Sequence, residues 1–508
     1  MVDLHAGQLK GAVEAGVTVF RGVPYAAPPV GSLRWRPAQP HPGWSGVRDA
    51  TVDGPSAPQM YMQGGDPVMG GHGSPPFDDD CLTLNVWTPA ADDGRRPVLV
   101  WIHGGGFVSG SGSLPNYSGE AFARDGDLVM VSVNYRIGPL GYLYFGAEGE
   151  DTREGDAPGN FWLTDQLAAL RWVRDNIARF GGDPGSVTVA GQSGGAMSTA
   201  ALAGHPEAEG LFQRVILQSP PLGLHIPTPA EYLERTAAYL EFAGAKNPDE
   251  LRDLPWPRLI EAAGQLFGQT MRWGYWPTPF LPVRDGVTLR EHPAQTLLHG
   301  AAADLDVMIG WTREEANFGF ALDDGYAAAS RDQVLSRIAE SFPDGDADEV
   351  YDAYARTRPG ARPVDVLMDL ITDELFRVPC VDLAEARAAM GRPVWAYQFD
   401  LPTPACDGRL AAAHCLELPF VFNNFDNWSH APLVEGFDPT VRDGLARTMH
   451  QAWIAFVRTG NPNHRDLPVW ERYGADSRTT MRFDSVVTAL GDLAGVSRRL
   501  HSRARKGS

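Results

Sequence analysis

The chain has 508 residues, 43% of them hydrophobic and 21% charged, a balance that describes a globular protein with ample chain for a large core. Its formal net charge of −20 argues against a nucleic-acid partner, whose phosphates would be repelled. Four cysteines (Cys81, Cys380, Cys406 and Cys415) without CxxC spacing speak against a disulfide scaffold or a cysteine-ligated metal, while a Cys406–Cys415 bridge stays open.

In chain order, Val17 to Tyr25 alternates like a strand and runs into the Pro-rich AAPPVGSLRWRPAQP. A Met/Gly-rich stretch over 60–76 lacks periodicity and is expected to be a loop. Asp78 to Pro89 reads as a strand through Leu82, Leu84 and Val86. Pro97 to His103 (PVLVWIH) is nearly continuous in apolar residues, as a strand buried on both faces must be, and stops at Gly104-Gly105-Gly106. Leu128 to Tyr135 repeats that pattern, and Asp165 to Phe180 has helical periodicity. A Gly-Gly-Asp-Pro turn then leads into a short strand, Val187 to Val189, and Gly191-Gln192-Ser193-Gly194-Gly195, followed by a small-residue helix.

Strands alternating with helices, with glycine loops at strand ends, imply an α/β fold whose mostly parallel sheet is covered by helices on both faces. Beyond Ser219 the text becomes helical and acidic, broken by RWGYWPTPFLP and by strand-like DVMIG (Asp306 to Gly310) and VWAYQF (Val394 to Phe399). Large helical insertions are expected at about 225–300 and 320–390, forming a lid or subdomain within a single domain spanning 1–508. No basic segment followed by an apolar one opens the chain, and no apolar run approaches a membrane span. A cytoplasmic location without a membrane partner is therefore the expectation.

Strand, G-x-S-x-G, helix is the context in which this motif presents a nucleophile: flanking glycines permit a sharp, strained turn with the serine at its tip. A serine needs a histidine base oriented by an acid. In this architecture the order is serine, acid, histidine, each in a loop after a later strand. Of thirteen histidines, His414, which follows the VWAYQF strand by a loop, is the natural candidate. Glu314 and Glu315 after DVMIG, and Asp400 after VWAYQF, compete as the acid, and spacing does not decide among them. HGGGF (His103 to Phe107) offers side-chain-free backbone N–H groups for an oxyanion, and Gly194, directly after the serine, offers another.

These motifs resemble the type-B carboxylesterase/lipase family, which includes carboxylesterases, cholinesterases and bacterial p-nitrobenzyl esterases. FRGVPYAAPPVGSLRW, DDCLTLNVWTP, VSVNYRIGPLGYL, GNFWLTDQLAALRWV, FGGDPGSVTVAGQSGG and GNPN stand in the family's order over most of the chain. The resemblance implies the α/β-hydrolase fold and a serine carboxylesterase acting on small to medium uncharged esters through an acyl-enzyme. It implies catalytic Ser193, Glu315 (from IGWTREEANF) and His414 (before CLELPFVF), and oxyanion donors Gly105, Gly106 and Gly194. It implies no metal and no organic cofactor. Carbamate, amide or lactone hydrolysis on the same triad is the alternative; a non-catalytic adhesion role is disfavoured because all three triad residues are present. The substrate pocket is expected around Phe107, Gln192, Trp276 and Thr278.

Several positions depart from the family's pattern. Gln192 replaces the usual glutamate, Gly194 the usual alanine, and Trp162 a common glycine. Cys81 has no upstream cysteine to pair with, and the Met/Gly loop lacks the choline-stacking tryptophan of cholinesterases, which argues against choline esters. The partner expected is a small ester; the oligomeric state is not legible.

Overall fold

The apolar runs that read as strands pair with one another, and in doing so they bring the glycine loops that follow β7 and β9 to one edge. The structure is a computed structural model that describes residues 1–60, 66–71, 76–146 and 159–507. The strands, in chain order, are β1 (Val2–Leu4), β2 (Gly7–Lys10), β3 (Ala12–Glu14), β4 (Val17–Pro24), β5 (Val47–Asp49), β6 (Thr83–Thr88) and β7 (Arg96–Ile102). They continue with β8 (Val129–Val133), β9 (Gly182–Gln192), β10 (Arg214–Gln218), β11 (Asp306–Thr312), β12 (Val394–Phe399), β13 (Thr479–Phe483) and β14 (Thr488–Gly491). A small sheet has the order β1-β2-β5, and an eleven-stranded sheet the order β14-β13-β12-β11-β10-β9-β7-β8-β6-β4-β3. From β8 through β13 every neighbouring pair in the large sheet is parallel. Antiparallel pairs β13–β14, β6–β8, β4–β6 and β3–β4 extend both ends.

Alternation along β7 shows why a continuous apolar run was required. Val98, Val100 and Ile102 enter one core cluster, together with Leu163, Leu167 and Leu170 of helix Phe161–Asn176 and Met197 of helix Gly194–Ala203. Leu99 and Trp101 enter a second cluster with Met449, Trp453 and Phe456 of helix Pro439–Thr459. Helices therefore bury both faces, which is why the run is apolar at every position. The interval between β10 and β11 is part helix and part irregular chain, and that between β11 and β12 is largely helical. The second of them builds its own core from Val334, Ile338, Tyr354, Leu367 and Leu370, against which Trp276 packs.

Two local readings differ from the sequence expectation. The Gly-Gly-Asp-Pro segment is not a turn before a short strand: Gly182 already pairs with Arg96, and the register shifts before Val98. The reversal is confined to Gly181, at φ +80°, and Pro184, which has no N–H to donate, falls within the irregular stretch. All four cysteines are free, so the Cys406–Cys415 bridge is not formed. Most of the loop predicted around 60–76 lies outside the described residues.

Candidate active site

Ser193 occupies a one-residue corner between β9 and helix Gly194–Ala203, at φ 56° and ψ −126°. A non-glycine residue adopts this backbone only where its surroundings force it. Here the forcing groups are identifiable. Ser193 N–H donates to Gln218 O at 2.9 Å, fixing the corner to β10. The next turn lies so close that a Cβ at Gly191 would be 2.4 Å from Gly195 O, and one at Gly195 would be 2.1 Å from Ile102 O. The glycines are therefore requirements of close approach, and the serine hydroxyl is carried to the carboxyl edge of the sheet.

The candidate acid and base lie beyond the ends of β11 and β12. Glu315, fully buried just after β11, accepts from Thr312 N–H at 2.7 Å and meets His414 Nδ1 at 2.5 Å. Burial opposes charge on the His414 ring, but Cys415 and the Glu315 carboxylate outweigh it and hold the imidazolium well above the usual histidine range. A ring so supported can accept a proton from a hydroxyl and keep it briefly. Among the described residues no hydrogen bond joins the Ser193 hydroxyl to His414; Nε2 instead meets Gln192 Nε2 at 3.0 Å. Serine–histidine contacts of this kind are often loose until substrate tightens them.

The competing acids have other work. Glu314 is buried but points away from the ring: it accepts from Arg358 Nη2 and Ala412 N–H, both at 3.1 Å, and pairs with Arg313. Asp400 accepts from Gln398 Nε2, and its own N–H donates to Phe483 O at 2.7 Å. His103, in the glycine loop, stacks on Tyr135 with centroids 4.5 Å apart, and burial pushes it down to about 4, so it stays neutral.

The glycine loop folds back against the serine. A Cβ on Gly104 would sit 3.1 Å from Ser193 Cβ, which leaves Gly105 (φ +120°) and Gly106 (φ +58°) beside the nucleophile. No acceptor among the described residues takes the N–H of Gly105, Gly106 or Gly194. Three unspent donors around one serine are what a developing oxyanion needs. Phe107, at φ 67°, caps Gly194: a Cβ there would be 3.1 Å from two atoms of the Phe107 ring. The alanine usual in the family would fit there only if the Phe107 ring gave by a few tenths of an ångström. Trp162 belongs to the same buttress, stacking on Tyr142 at 5.5 Å, and Tyr142 in turn packs on Phe107 at 5.2 Å.

The walls are aromatic. Trp276, Phe318 and Phe376 pack on the His414 ring with centroids at 6.0, 5.9 and 5.0 Å. Trp276 also lines, with Thr278 and Leu222, a neighbouring cavity of about 630 Å³ whose wall carries Arg235, Arg337, Glu340 and Glu374 and does not include Ser193 or His414. Thr278 contributes its carbonyl to Arg235 at 2.7 Å. Gln192, expected on the pocket wall, instead points at the base and is 1% exposed. Sequence reasoning missed Phe318, Phe376 and Cys415. Phe318, three residues after Glu315 in an apolar turn, could have been inferred, whereas Phe376 is aimed by a π-helical turn, Asp373–Arg377, that leaves no mark in the text.

A strained serine corner, a buried Glu–His pair and clustered free N–H groups at the carboxyl edge of a mostly parallel sheet define an α/β hydrolase. The chain belongs to the carboxylesterase family, whose model matches residues 1–497. It is 50% identical to phenmedipham hydrolase of Pseudarthrobacter oxydans over 96% of this chain and 94% of that protein. It is 36% identical to para-nitrobenzyl esterase of Bacillus subtilis, covering 97% and 96%. Among solved structures, carboxylesterase EST55 of Geobacillus stearothermophilus superposes with a TM-score of 0.86 at 37% identity, covering 98% of this chain and 99% of that one. The protein is accordingly a hydrolase of carboxylic esters. Among the described residues no helix is long and apolar enough to cross a membrane.

Proposed function

We propose that Ser193, His414 and Glu315 form the catalytic triad and that Gly105, Gly106 and Gly194 form the oxyanion hole. His414 takes the Ser193 hydroxyl proton as the oxygen attacks the ester carbonyl. The three N–H groups hold the oxyanion, and the tetrahedral intermediate collapses as His414 returns the proton to the leaving alcohol. Water, deprotonated by the same ring, then releases the acid from the acyl-enzyme. Glu315 keeps Nδ1 protonated, so that Nε2 is the nitrogen that works. The Glu315–His414 contact at 2.5 Å, buried beside the serine corner, is the observation that carries this reading.

The substrates proposed are small to medium uncharged esters, supported by the aromatic ring cluster on His414. The helical intervals at about 225–300 and 320–390 serve as the lid, since they supply Trp276 and Phe376. The four free cysteines suit a reducing compartment, and a cytoplasmic enzyme is the location proposed. A second reading, carbamate hydrolysis on the same triad, has the 50% identity to phenmedipham hydrolase in its favour. A panel of p-nitrophenyl esters of rising acyl length, with a matched phenyl carbamate, tests both. Short and medium esters should be cleaved fastest, and carbamate turnover equal to theirs would favour the second reading.

A further inference from the structure

We propose that Gln192 is a positioning residue of the base: in the free enzyme, once pH has risen past the point where His414 gives up its proton, its side-chain amide holds the bare Nε2 of His414, in competition with Ser193. The inference rests on His414 being the base and goes beyond that assignment.

The argument starts from donor and acceptor chemistry. An amide NH₂ has two hydrogens to give and no lone pair to accept with. Gln192 Nε2 lies 3.0 Å from His414 Nε2 and 3.3 Å from Cys415 Sγ, so each of its hydrogens has one acceptor. An imidazole nitrogen that accepts cannot carry a proton. The contact thus selects the ring with Nδ1–H turned to Glu315 and Nε2 bare, which is the form a general base requires. The glutamate usual at this position would do the opposite, because a carboxylate beside Nε2 favours the imidazolium.

Surroundings hold the amide in place. Gln192 is the last residue of β9 and is buried against the glycine loop, where a Cβ on Gly104 would fall 2.8 Å from Gln192 Oε1 and 2.7 Å from its carbonyl oxygen. The first glycine of the loop is therefore needed to seat Gln192, while the next two carry the donors. Other groups facing the ring are Glu315 through Nδ1, the Cys415 thiol, and the rings of Trp276, Phe318 and Phe376. Glu417 lies further back, accepts from Gln218 Nε2 at 3.2 Å, and is pushed up to about 7 by burial and by Glu315. Glu417 and His414 also act on each other's charge, so pH profiles of the Gln192 variants repeated in a Glu417→Gln background assign the shift to His414.

The test compares pH profiles of kcat/KM and kcat for the full-length enzyme and its Gln192→Met and Gln192→Glu variants on p-nitrophenyl acetate. The acid limb of kcat/KM reports the free enzyme, where the contact exists; that of kcat reports the complex, where His414 has turned to the serine. Removing a donor to bare Nε2 should raise the kcat/KM midpoint of Gln192→Met by about half a pH unit to one unit. Gln192→Glu should raise it by about one unit or more. For Gln192→Met the kcat midpoint should stay put, and for both variants the alkaline plateau should remain within several-fold of the parent. A midpoint does not depend on the folded fraction, so poor folding leaves the comparison intact. Unmoved midpoints with lowered plateaus would reduce Gln192 to packing and overturn the proposal. A lower midpoint in Gln192→Met would overturn it as well, since it would mean that the amide oxygen faces the ring. If His414→Ala retains turnover, the triad assignment fails instead, and the two failures are told apart.

Discussion

Replacing Glu315 by glutamine should cost far more turnover than replacing its neighbour Glu314, although both are buried and adjacent. Glu315 accepts two hydrogen bonds, from Thr312 N–H at 2.7 Å and at His414 Nδ1 at 2.5 Å. A glutamine keeps one oxygen. With that oxygen held by Thr312, its NH₂ faces Nδ1, which must then give up its hydrogen. The ring would carry its proton on Nε2 and could no longer receive one from Ser193. Loss of the correct tautomer, together with loss of the charge that supports the imidazolium, is worth about 10³–10⁴-fold in kcat in a comparable triad, or about 4–5.5 kcal/mol. Glu314 by contrast serves Arg358, which keeps Asp369 at 2.9 Å, and one backbone N–H. Glu314→Gln should lower the melting temperature by a few degrees and change kcat by less than about tenfold. Steady-state kinetics on p-nitrophenyl butyrate, with thermal melts of the same samples, decide the matter. Equal losses, or a larger loss in Glu314→Gln, would refute the assignment of the acid.

The acid limb of kcat/KM should have its midpoint above the ordinary histidine value of 6.5, because the Cys415 and Glu315 side chains outweigh burial at His414. The sign follows from the role: below the midpoint the ring is protonated and idle, and activity appears as pH rises through it; a midpoint at or below the ordinary value would contradict this. Gly194→Ala should be tolerated with a modest loss, since the ring of Phe107 can give by a few tenths of an ångström, whereas Gly195→Ala drives a Cβ to 2.1 Å from the carbonyl of Ile102 and should abolish soluble, active protein. Comparable expression and melting temperature for the two would show that the corner is less tightly built than described. Trp276→Ala removes one of the three rings on His414 and part of the cavity wall, so longer acyl chains should gain relative to acetate; an unchanged chain-length profile would remove Trp276 from the pocket.

Much of this was legible in the sequence, because the signals involved are local. β7 and β8 had to be continuous apolar runs, being buried on both faces, and each ended in a recognisable loop. The serine corner carried its glycines for steric reasons that sequence alone suggests. Glu314 and Glu315 could not be separated by spacing, since their difference lies in which way each side chain leaves the backbone beyond β11. The resemblance chose Glu315, and the contact with His414 agrees with that choice. The contact of the Gln192 side chain with His414 was not legible in the sequence, which placed the residue only on the pocket wall. It depends on Gly104 and on Cys415, which are distant in the chain and meet only when β7, β9 and the loop after β12 come together. Phe376 was invisible for a similar reason: a π-helical turn re-aims it toward His414.

The central claim is that Ser193 is the nucleophile, and the most direct measurement is covalent labelling. Incubation of the folded enzyme with a fluorophosphonate probe, followed by peptide mass spectrometry, should give a single adduct on Ser193, in step with loss of esterase activity. His414→Ala should label far more slowly. Complete inactivation with the adduct on another residue, or an active enzyme whose Ser193 stays unmodified, would contradict the account.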